Sequence, residues 1–197
     1  MKRILLAAIL GGLLLFIWEF VSHDMLPLGE AGVRAVDNET AMMGAIKANA
    51  SQDGFYIVPA PSQYSNPAAF EKMTSDQKKQ DMEQHMAKMA SGPSGVLILH
   101  PNGFPSNFAT QLATQFICDI IVVLLAAVLL SHAPGLGYGG AVLFVAALGV
   151  IPTLRADLPY WNWYGFPTTY TAGQFAMHFI GFALVGLVLG KMVRAKG

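Results

Sequence analysis

The sequence predicts an all-α membrane protein of four transmembrane helices, with a small extracytoplasmic α+β insertion between helices 1 and 2. Three observations carry that expectation. Hydrophobic residues make up 54% of the chain and charged residues only 12%, where an ordinary soluble domain holds about 25% charged residues. Apolar segments recur at residues 4–17, 108–132, 140–154 and 168–192, and stretches of this kind are what a bilayer core of about 30 Å selects. The first two are separated by a long tract of mixed polarity. The expected organisation is therefore a first transmembrane helix at 1–23, an extracytoplasmic domain at 24–107, and helices 2–4 within 108–197.

The N-terminus places Lys2 and Arg3 before its apolar run, as a signal peptide does, but Trp18, Glu19 and Phe20 stand where a cleavage site wants small residues. It reads as a retained signal anchor. Ala7 with Gly11, and Ala8 with Gly12, put small residues one turn apart, which lets another backbone come close. Lys2 and Arg3 at one end and Lys191, Arg194 and Lys196 at the other place both termini in the cytoplasm by the positive-inside rule. The expected location is the cytoplasmic (inner) membrane of a bacterium, multi-pass, with residues 24–107 outside.

Within the insertion, a short helix is expected from Asp37 or Asn38, GFYIVPAP and GVLILHPNG read as strands bounded by Gly and Pro, and a helix is expected over 67–90. The strand direction is open. Met82, His85, Met86 and Met89 recur at helical spacing. Thioether and imidazole ligands outside the cytoplasm would suit Cu(I), yet only His100 is at hand to complete such a set, so the stripe is expected to be the apolar face of an amphipathic helix. No metal or cofactor is expected. The third apolar segment is short for a span, with Pro152 disturbing its end, and RADLPYWNWYGFPTT after it reads as a loop whose Tyr160, Trp161, Trp163 and Tyr164 sit at the membrane interface.

The polar residues inside the helices carry the functional reading. Asp119 lies mid-helix, where a carboxylate costs about 2.5–3.5 kcal/mol and is by default a site hypothesis. At about 1.5 Å per residue, Gln115 and Asp119 descend one face of helix 2 and Gln174 and His178 one face of helix 4, while Glu19 and Arg155 lie nearer the outer edge. The inner halves are nearly all Leu, Val, Ala and Gly. An outward-facing polar pocket made of Asp119, His178, Glu19, Arg155, Gln115 and Gln174 is expected, with Glu19 pairing Arg155 and Asp119 pairing His178; the same groups would also serve as helix–helix glue.

Three function classes fit. The first is a non-enzymatic accessory or assembly protein, meeting the lipid bilayer and a protein partner through the extracytoplasmic domain. The second is a small-ligand or ion-binding membrane protein using the pocket around Asp119 and His178. The third, a membrane enzyme or redox protein with Asp119 and His178 as acid–base pair or metal ligands, is weakest: HExxH, GxSxG, P-loop and CxxC motifs are all lacking, and no catalytic residue can be assigned. A formal net charge of zero leaves no basic patch to neutralise phosphates, so no nucleic-acid partner is expected. The single cysteine, Cys118, excludes an intrachain disulfide.

Overall fold

A computed structural model describes residues 1–104 and 106–193; Arg194 and Lys196 of the C-terminal basic cluster lie outside the described residues. The chain divides into two units, Met1–Arg34 with Ser106–Gly197, and Ala35–Pro105.

The first unit holds four helices long and apolar enough to cross a membrane: Lys2–Met25, Phe108–Ser131, Tyr138–Tyr164 and Thr168–Met192. The first is α-helical over Lys2–Phe20 and ends in a π turn, Val21–Met25. The second starts where Asn107 Oδ1 accepts from the Thr110 backbone N–H at 3.1 Å, satisfying a donor that the first turn would otherwise leave free. The first helix packs against the second and the fourth, and the fourth against the third; the second touches the third and fourth only sparsely.

The third helix departs from expectation. Residues 155–164 continue it rather than forming a loop, giving 27 residues in all. Proline lacks an N–H, and its ring crowds the carbonyl four residues back. Around Pro152 the helix accommodates this by breaking at Gly149, resuming over Val150–Pro152, and widening into a π turn at Thr153–Asp157. It then runs on as Leu158–Tyr164 and stops at Gly165, whose φ of 69° is left-handed.

A buried core of Ala7, Leu15, Val123, Ala126, Ala127, Leu130, Ala141, Val145, Val185 and Leu189 occupies the half of the unit that carries the chain ends, here the terminal half. Backbones come close there, as the small-residue pairs of the first helix predict. A Cβ added at Gly12 would stand 2.9 Å from the Ile120 Cα, and one at Gly186 would stand 2.9 Å from the Val142 carbonyl oxygen. In the other half, from which the insertion leaves, residues 26–34 fold back along the start of the fourth helix. A Cβ at Gly173 would lie 2.3 Å from the Leu28 oxygen, and Gln174 Nε2 donates to Gly29 O at 3.4 Å.

The second unit opens with a helix, Glu39–Asn49, capped by Asn38 Oδ1 accepting from Ala41 N at 3.0 Å. Strands β1, Gly54–Val58, and β2, Gly95–Leu99, pair antiparallel with Gly54 opposite Leu99 and Val58 opposite Gly95. The single helix expected over 67–90 is divided. Asn66 caps Pro67–Glu71, and after a break Thr74 and Gln77 form a reciprocal capping box that starts Ser75–Ser91. Such a box satisfies two orphan N–H donors at once and so favours a new helix start over continuation. Among the described residues of this unit only Ala50 is buried.

Candidate functional site

Gln115 and Asp119 stand one turn apart on the second helix, so their side chains meet on one face. The Gln115 amide bridges two acids: Nε2 donates to Glu19 Oε2 at 2.8 Å and to Asp119 Oδ1 at 3.0 Å. Both amide hydrogens are thereby used. Asp119 is 4% exposed, and its second oxygen, Oδ2, is buried with no hydrogen-bond partner among the described residues.

These residues line a cavity of about 210 Å³ to which all four long helices contribute. Glu19, Gln115 and Asp119 form its polar wall, and Met177, His178 and Phe182 face it from the fourth helix. Leu15, Cys118, Val122 and Pro152 complete it. The height of the fourth helix against the first is set by Trp18, whose Nε1 donates to Met177 O at 2.9 Å. Gly181 makes room for that indole, since a Cβ there would approach Trp18 Cδ1 to 2.8 Å.

Of the six residues expected to form the pocket, four line the cavity and two do not. Arg155 is exposed and turned away from it, because the π turn carries Thr153 and Asp157 inward instead. The expected Glu19–Arg155 pair is therefore not made, and Glu19 takes the Gln115 amide. Gln174 is spent on Gly29. Asp119 and His178 share the cavity, but the acid nearest to the His178 ring nitrogen is Asp157: Nε2 lies 3.4 Å from Asp157 Oδ2, without the alignment of a hydrogen bond. Asp157 was missed because RADLPYW reads as a loop, where an acid is unremarked. Its signal was position: had the segment been taken as helix, an acid facing neighbours inside a membrane would have stood out.

The cavity carries two carboxylates and one imidazole, and among the described residues no lysine or arginine lines it. Burying such a group uncompensated is costly, so it draws a proton, a cation or a donor. Among the described residues no three His, Cys, Asp or Glu side chains are placed to hold a metal ion. In the insertion, Met82 and Met86 are 54% and 57% exposed, whereas Asp81, His85 and Met89 are half-buried. The inward face of Ser75–Ser91 thus runs through every fourth residue from Asp81, which accepts from the Ser62 hydroxyl, and not through the whole methionine stripe. His100, the one further ligand expected from the insertion, pairs with Asp53 at 2.9 Å. No family model matches the chain, and neither a curated protein nor a solved structure matches it significantly.

Proposed function

We propose that the chain is a non-enzymatic, multi-pass protein of a bacterial cytoplasmic membrane, with both termini in the cytoplasm and the insertion outside. It binds a small ligand in an outward-facing pocket formed by Glu19, Gln115, Asp119 and His178. One observation carries this reading: Asp119 Oδ2 is buried at a cavity wall with no hydrogen-bond partner among the described residues. A carboxylate serving only as interhelical glue would be expected to have both oxygens engaged, since buried polar groups are nearly always hydrogen-bonded. The packed core of the terminal half supports a pocket closed toward the cytoplasm rather than a channel.

Cys118, the only cysteine and a lining residue, reports on the pocket directly. A thiol reacts as its thiolate, which needs water. A membrane-impermeant methanethiosulfonate added outside intact cells is expected to modify Cys118. Modification seen only after detergent extraction would sink the reading.

The accessory role rests on a different observation. Among its described residues the insertion buries only Ala50, and it leaves Ile98 73% exposed on a two-stranded sheet; a sheet of that size is marginal alone. A partner protein covering this face should co-purify with the full chain and be lost in Ile98→Glu; unchanged recovery would count against it.

A further inference from the structure

We infer that the pocket around Asp119 takes a small protonated amine, its N–H donors held by Asp119 Oδ2 and Glu19 and its carbon skeleton by Leu15, Val122, Met177 and Phe182. The inference rests on the pocket reading above and names its ligand class.

Hydrogen-bonding inventory gives the first argument. The Gln115 amide spends both of its hydrogens on Glu19 and Asp119, so with the two carboxylates ionised the wall formed by Glu19, Gln115 and Asp119 offers acceptors and no free donor. An ammonium group is the complement, with three donors and no acceptor. Charge gives the second. With two carboxylates and, among the described residues, no lysine or arginine at the cavity, an anionic ligand would meet repulsion, and the imidazole of His178 faces Asp157. Ligand count gives the third. Calcium wants six to eight oxygens, and magnesium near-ideal octahedral geometry. Among the described residues no metal-ligand cluster of His, Cys, Asp and Glu forms, and a hydrated metal ion would gain nothing from the apolar wall.

That wall supplies the remaining argument. Leu15, Val122, Met177 and Phe182 line the same space as the acids, which suits a ligand with an alkyl or aryl body beside its charge. The volume of about 210 Å³ is below the roughly 300–1,000 Å³ of sites for drug-sized molecules. A butylammonium-sized cation is of the right order.

The test uses the unmodified chain in its own membrane, with Cys118 as reporter. The rate at which an impermeant methanethiosulfonate modifies Cys118 is compared in the presence of butylammonium, tetramethylammonium and sodium chlorides at equal ionic strength. Butylammonium is expected to slow modification saturably. Tetramethylammonium, a cation without N–H, and sodium are expected to protect weakly or not at all. A charge-assisted hydrogen bond is worth about tenfold in affinity or more, so Asp119→Asn should shift the butylammonium protection curve by at least about that factor while Cys118 stays reactive. Equal protection by all three cations, or by none, overturns the amine and leaves the pocket standing. An inert Cys118 in the unmodified chain removes the pocket and the amine together. Because the three cations are compared on the unmodified chain, the result is decisive even if Asp119→Asn does not accumulate.

Discussion

In the terminal half of the spanning unit the helices meet through Ala7, Ala126, Ala127, Ala141 and Val185, with Gly12 against the Ile120 backbone and Gly186 against Val142. In the half where the chain leaves for the insertion they are held by side chains that reach across: Trp18 to Met177, Gln115 to Glu19, and Gln174 to Gly29. Both halves face the same difficulty, since lipid gives helices no hydrophobic reason to associate. The terminal half answers with close backbone approach and van der Waals contact. The other answers with polar bonds strung around open space, which leaves room for a ligand at the expense of packing.

If that contrast is right, the two halves should fail to opposite kinds of substitution. The largest effect is expected for Gly12→Leu, whose Cβ alone would come within 3.0 Å of the Ile120 backbone. Backbone cannot move aside as a flexible side chain can, so the loss should reach about 3 kcal/mol or more, seen as reduced unfolding temperature and abundance of the detergent-purified protein. Wild-type stability in this variant would mean that the first two helices part without cost and that the contrast is wrong. Next comes Gln115→Leu, which is apolar and well suited to a membrane helix yet strips a donor from Glu19 and from Asp119. A loss of about 1–3 kcal/mol is expected from the unsatisfied acceptors, and a gain in stability would show that the carboxylates do not need the amide. Gln174→Ala should do least, below about 1 kcal/mol, because it removes a single long bond to Gly29 at 3.4 Å. A larger loss there would mean that the folded-back segment 26–34 holds the insertion half together more than the cavity residues do.

The second and fourth long helices were legible to within a residue of their ends, because apolar residues predominate from Phe108 to Ser131 and from Thr168 to Met192 despite the polar residues set among them. The third was cut short on the sequence because Pro152 reads as disturbing its end and the aromatic residues after it read as an interfacial loop. In lipid, freed backbone groups have no water to turn to, so the helix bends and continues. The division of the long insertion helix was written in Thr74 and Gln77, a spacing that marks a helix start even inside a polar run. For the site, counting residues along each helix found Glu19, Gln115, Asp119 and His178 at compatible heights, and all four line one cavity. Their partners were misjudged because height along a helix says nothing of direction around it, and direction is what separates Asp157 from Arg155.

That direction is set by the π turn at Thr153–Asp157. Each residue of an α-helix turns the chain by about 100°, so the extra residue accommodated in a π turn acts as a phase shift on everything that follows. Asp157 opposite His178, and the facing of Tyr160, Trp161 and Trp163 beyond it, thus depend on how many residues occupy the turn more than on which they are. Replacing a side chain at an exposed position there, such as Arg155, leaves that phase untouched, whereas the loss or gain of a single residue would rotate the rest of the helix out of register.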